Sequence, residues 1–128
     1  MEEKTIHLPH DHGSRGERII RSMPSAGEIE KISHVLAHLG DPSRLRIFWL
    51  LCHCEECVMD IAALTGMSSS AVSHHLRLLK NSGLIVSRRS GKEMFYRADD
   101  TEMVASLHRA FEDVARISCP SEEKWNDE

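Results

Sequence analysis

From residue 25 to residue 39 the apolar positions Ile29, Ile32, Val35, Leu36 and Leu39 recur every three or four residues. That period predicts a helix beginning at Ser25 and ended by Gly40. "DPSRLRIFWLL" restarts a helix, with Asp41 as its cap and Pro42 at the first helical position. Its apolar face reads Leu45, Phe48, Trp49 and Leu51 or Cys52. "VMDIAALTG" predicts a short helix ended by Gly66. "MSSSAVSHHLRLLKNSG" predicts another, with a serine start, Val72, Leu76 and Leu79 on one face, and Gly83 as the stop. A short helix, a turn and a second helix with a serine-rich start make a helix-turn-helix.

The period then switches to two. Leu84, Val86, Met94 and Tyr96 in "LIVSRRSGKEMFYRA" predict two short strands around a turn at Ser90-Gly91, a hairpin wing directly behind the second helix of the motif. A last helix runs from Thr101 to about Ile117, with Val104, Leu107, Phe111 and Val114 on one face. The expected fold is mainly α with a small β-hairpin wing. A winged helix-turn-helix domain occupies residues 25–117, a flexible N-terminal arm residues 1–24, and a loose tail residues 118–128. Within the arm, "SRGERIIRSM" has the makings of a short helix.

The 128-residue length suits one domain of modest core, a size that often goes with dimerisation. With 41% hydrophobic and 28% charged residues the chain has the composition of a globular protein. No run approaches about 18 apolar residues, so no membrane span is expected. The opening "MEEKTIHLPHDHG" has no apolar signal core, which points to a cytoplasmic protein. A net charge of −4 argues at first against nucleic acid, but its distribution reverses the picture. From Ser68 to Arg97 there are six basic residues (Arg77, Lys80, Arg88, Arg89, Lys92, Arg97) and one acid, Glu93.

Chemistry concentrates in "LLCHCEECVMDIA". Cys52, Cys54 and Cys57 fall within six positions, beside His53, Glu55 and Glu56. In a reducing compartment such a cluster reads as a metal or redox site rather than a disulfide framework. Cys54 and Cys57 form C-x-x-C, a spacing that lets two sulfurs face one ion from a turn. In a continuous helix Cys52 and Cys54 would point about 200° apart, so they converge only if the helix ends near Cys52. The other reading makes Cys52 a core residue. Cys119 stands alone near the C-terminus, and His7, His10 and His12 crowd the N-terminal arm.

"LGDPSRLRI", "CVMDIAALTGMSSSAVSHHLRLLKNSGLI" and "RRSGKEMFYRA" together resemble the ArsR/SmtB family of metal-responsive winged-helix repressors, over about residues 28–117. The resemblance implies a homodimer whose first and last helices form the interface. It implies binding to operator DNA when metal-free and release on binding metal. The family's thiolate sensors carry C-x-C-D or C-x-G-D at the first helix of the motif. The match here is "CVMD", which puts Cys57 on the first ligand position and Met59 in place of the second cysteine. Cys52 and Cys54 then become candidates for the missing sulfurs. The arm histidines, with His10 and His12 nearer the folded body than His7, become candidates to complete the site from the partner subunit. His53 is disfavoured, because its neighbours would point it away. The effector implied is a divalent thiophilic ion: cadmium, lead or zinc. A second family site on the last helix falls on Asp100, Glu102, Asp113 and Arg116. Its histidines are missing, an arginine would repel a cation, and His108 lies off the pattern.

For DNA, the exposed N-terminal face of the second helix of such a motif enters the major groove. That face carries Ser68, Ser70, Ser73, His74 and Arg77, while Lys80, Arg88, Arg89 and Lys92 are placed to meet phosphates. Ser68 also reads as a helix cap, and His75 as turned toward the core. Two-fold symmetry predicts a palindromic operator of double-stranded DNA. Three rival functions remain at this point. A redox or persulfide sensor on the same fold would use the same thiols, although Glu55 and Glu56 would raise their pKa and favour metal. A small metalloenzyme lacks a readable nucleophile and base, so the chain is expected not to be an enzyme. A module with structural zinc would hold metal without releasing DNA.

Overall fold

The structure is a computed structural model that describes residues 7–10 and 13–116. His12, Cys119, the expected helix end at Ile117 and the tail 118–128 lie outside the described residues. The chain divides into two compact units, with the boundary between Ser33 and His34. The first contains helix α1 (Arg15–Ser22), where "SRGERIIRSM" suggested one, and the start of α2 (Ala26–His38). No residue of α1 is buried.

The second unit holds the end of α2, then α3 (Pro42–Leu51), strand β1 (Glu56–Cys57), α4 (Val58–Thr65) and α5 (Ser69–Asn81). Strands β2 (Ile85–Ser90) and β3 (Glu93–Ala98) and helix α6 (Glu102–Ala115) complete it. Asp41 caps α3 as its sequence promised, accepting from the Arg44 backbone N–H at 3.0 Å with Pro42 in the first turn. Ser68 caps α5 through the Ala71 N–H, and Thr101 caps α6 through the Val104 N–H. Gly83 closes α5 at φ +76. Its own N–H reaches the Lys80 carbonyl and the Leu84 N–H reaches Leu79, both at 3.1 Å, the paired bonds that a left-handed residue permits at a helix end.

The core draws Ile47, Phe48 and Leu51 from α3, Ile61 from α4, and Val72, Leu76 and Leu79 from α5. Leu84, Ile85, Val35 and Val104 close it. Ile47 was absent from the expected face of α3, and Leu45 and Trp49 are only partly buried. The face of α3 is set by what α4, α5 and the sheet cover, not by its own period alone. Of the apolar positions that set the period of α2, Ile29, Ile32 and Leu36 are exposed and Val35 is buried.

The wing is a hairpin running from Ile85 opposite Ala98 to Ser90 opposite Glu93, with Gly91 and Lys92 as its two-residue loop. That is one residue beyond the expected turn. A third strand joins it: β1 pairs antiparallel with β3, Glu56 opposite Tyr96 and Cys57 opposite Phe95. Two residues carry no period, so no pattern announced this strand. Among the described residues no helix is long and apolar enough to cross a membrane.

Candidate nucleic-acid interface and metal centre

Helix α5 is two-faced. Val72, Leu76 and Leu79 are buried, while Ser70, Ser73, His74, Arg77 and Lys80 are exposed on the opposite side at helical spacing. Arg77 Nη2 lies 3.1 Å from His74 Nδ1. A guanidinium can only donate, so Nδ1 is the acceptor in this contact. Lys80 Nζ donates to Ser87 Oγ at 2.7 Å and ties the helix to the first strand of the wing. His75 is half-buried and burial holds its imidazole below the ordinary pKa, so it belongs to the packing side.

The wing residues Arg88, Arg89 and Lys92 are exposed. Arg88 is nonetheless engaged. Its Nε donates to Glu55 Oε1 at 2.8 Å, and its guanidinium stands 5.2 Å above the centre of the Phe95 ring. Arg97 Nε lies 3.9 Å from the other Glu55 oxygen. Ser68 is committed to the helix cap. Ser70, Ser73, His74, Arg77, Arg89 and Lys92 therefore present outward groups directly, while Lys80 and Arg88 are held by neighbours.

The thiols do not gather. Helix α3 does end near Cys52, as convergence required, and the Cys54 N–H still donates to the Leu50 carbonyl. Cys54 Sγ donates to that same carbonyl at 3.3 Å. Cys52 and Cys54 both line a cavity of about 400 Å³ together with Glu55, Asp99, Asp100 and His108. Cys57 lines a different, smaller one with Met59 and Met94, and is only 6% exposed. The sheet is the reason: Cys57 is locked opposite Phe95 at the start of α4, so the C-x-x-C spacing does not aim both sulfurs at one point. Burial and the neighbouring Glu56 push the Cys54 thiol pKa up. Cys52 packs against the core, as its other reading had it.

His7 and His10 belong to the first unit and are exposed. On α6, Asp100 precedes the helix, Glu102 and Asp113 are exposed, and Arg116 sits beyond its end at φ +56. Another cluster was missed by sequence reasoning. His53, His108 and Glu112 bring one ligand atom each within 4.8 Å of one another. The pair at positions 108 and 112 was readable as one helix face. His53 was not, because its direction depends on where α3 ends.

Residues 41–87 match the family model for bacterial regulatory proteins of the arsR family. A transcriptional repressor SmtB homolog of Synechocystis is 34% identical over 105 residues, covering 82% of this chain and 79% of the relative. A cadmium resistance transcriptional regulatory protein CadC homolog of Staphylococcus aureus is 37% identical over 81 residues, covering 62% and 67%. Among solved structures, a homodimeric winged helix-turn-helix DNA-binding domain from Mycobacterium bovis superposes with a TM-score of 0.64 at 35% identity, covering 71% of this chain and 83% of that one.

Proposed function

The chain belongs to the ArsR family of bacterial regulatory proteins, and from that premise we propose a metal-responsive transcriptional repressor, not an enzyme, that binds palindromic operator DNA as a homodimer. The observation that carries this reading is the exposed ridge of Ser70, Ser73, His74 and Arg77 on α5, backed by the basic wing. Ser73 and His74 reach base edges, and Arg77, Lys80, Arg89 and Lys92 hold phosphates. Arg88 joins them when Glu55 lets it go, and Ser68 positions the ridge by capping it.

Dimerisation accounts for apolar surface that a single chain leaves open. Ile32 is 50% and Val114 86% exposed, on α2 and α6. The homodimeric relative supports this assembly. The site of action is the cytoplasm, where DNA and reduced thiols coexist.

The effector is a thiophilic divalent ion, and the cadmium-resistance relative supports that class. The donor chemistry fits in part: Cys52 and Cys54 share a cavity with three carboxylates, Glu55, Asp99 and Asp100. Cys57 would join only if β1 leaves β3, and His10 and His12 are the arm donors of this reading. A bound ion supplies charge and a cross-link at the end of α3. Cys54 would then pull on Glu55, its chain neighbour, and Glu55 on Arg88 of the wing. The redox alternative is not carried forward, since the cadmium-resistance relative favours a metal effector.

The test is anisotropy with a palindromic duplex selected by the reduced protein from a random pool. Two protomers per duplex are expected, with strong weakening in the Arg77→Ala, Arg89→Ala double variant. Unchanged affinity in that variant would remove the docking scheme.

A further inference from the structure

Three side chains outside the thiol set converge on one point. After α3, the His53 N–H donates to the Leu50 carbonyl at 3.0 Å and its ring meets α6. On α6, His108 and Glu112 are four residues apart and share a face. His53 Nε2 lies 3.0 Å from His108 Nε2, which lies 3.3 Å from Glu112 Oε1. Among the described residues, this is the one group of three histidine, cysteine or acidic side chains with ligand atoms so close.

Ligands held about 2.0–2.1 Å from a tetrahedral ion stand about 3.3 Å from each other, so little movement is needed. Two Nε2 atoms facing one another share at most one proton. An ion beside the line between the two Nε2 atoms would take a lone pair from each after a tilt of the rings. The rings are held in position: His53 packs 4.4 Å from the Trp49 ring and meets His108 edge-on at 4.7 Å, and Trp49 lies 6.2 Å from Phe111. Glu112 is buried and supplies the negative charge a cation would neutralise.

We propose that His53, His108 and Glu112 form a second metal site, binding a divalent ion of the zinc, cobalt or nickel class through two nitrogens and one oxygen. A fourth position stays open to water, as in sites with three protein ligands. The donors are harder than the thiols. The site also differs from the last-helix positions that the family resemblance implied, Asp100, Glu102, Asp113 and Arg116. It lies within one chain and would tie α6, the helix with exposed Val114, to the segment that leads into β1 and α4. It does not depend on the thiolate reading and stands or falls separately.

The experiment is cobalt(II) titration of the full-length reduced protein, followed by absorption. Thiolate ligation shows a near-ultraviolet charge-transfer band; a nitrogen and oxygen site shows visible ligand-field bands without it. The expected result is a class of bound cobalt with ligand-field bands alone, lost in His108→Gln. Glu112→Gln should weaken it on the order of 10-fold or more. On the unmodified protein, zinc should shift the ring nitrogen-15 resonances of His53 and His108 together. This readout needs no variant to fold. Unshifted rings under saturating zinc, or cobalt bands indifferent to His108→Gln in a folded variant, would overturn the proposal.

Discussion

The carboxylate of Glu55 accepts a hydrogen bond from Arg88 Nε at 2.8 Å, across 33 residues of sequence. The acid stands next to Cys54, and the arginine stands on the wing. One ion pair therefore links the thiol segment to a residue expected at DNA phosphates. Glu55→Gln should release Arg88 and remove a negative charge near the DNA. The expected outcome is tighter operator binding, with a salt dependence steeper by about 0.9 in slope, one phosphate contact. Anisotropy titrations over a range of salt measure both.

The same pair predicts a pH effect on stability. Arg88 holds the Glu55 carboxyl below its ordinary value of 4.5. A depressed carboxylate pKa means that the stabilisation is fully present above the unfolded value and is lost as pH falls through the folded one. The stability gap between the native protein and Glu55→Gln should be present at neutral pH and close below about pH 4. Urea denaturation midpoints across pH check it.

Ser68 and Ser73 should separate cleanly. Ser68 Oγ caps α5, so Ser68→Ala should cost about 1 kcal/mol of stability. Ser73 is exposed and caps nothing, so Ser73→Ala should leave the unfolding midpoint in place while weakening operator binding. Thermal denaturation and anisotropy on the two variants discriminate the roles.

Val114 is 86% exposed on α6. Val114→Asp should leave the fold of the chain intact and shift sedimentation toward the monomer, with loss of operator affinity. A variant that remained fully dimeric would exclude this face of α6 from the interface.

Where local signals govern, the sequence was readable. Asp41, Ser68 and Gly83 took the capping roles their residue types suggest, and the two-residue period marked the wing. The site was less legible. Cys57 is placed by pairing with Phe95, and His53 by contact with a helix 55 residues away; no spacing encodes either. Ile29, Ile32 and Leu36 mark the helix by their period but are exposed, because an apolar stripe looks the same whether it meets its own chain or another.

In the proposed repressor, metal and DNA compete for this chain. The most direct measurement is operator anisotropy on the reduced protein, first with chelator, then with cadmium, zinc or lead, beside thiolate-to-metal absorbance. DNA release in step with that absorbance is expected, lost in the Cys52→Ser, Cys54→Ser double variant. Tight DNA binding at metal saturation would contradict it.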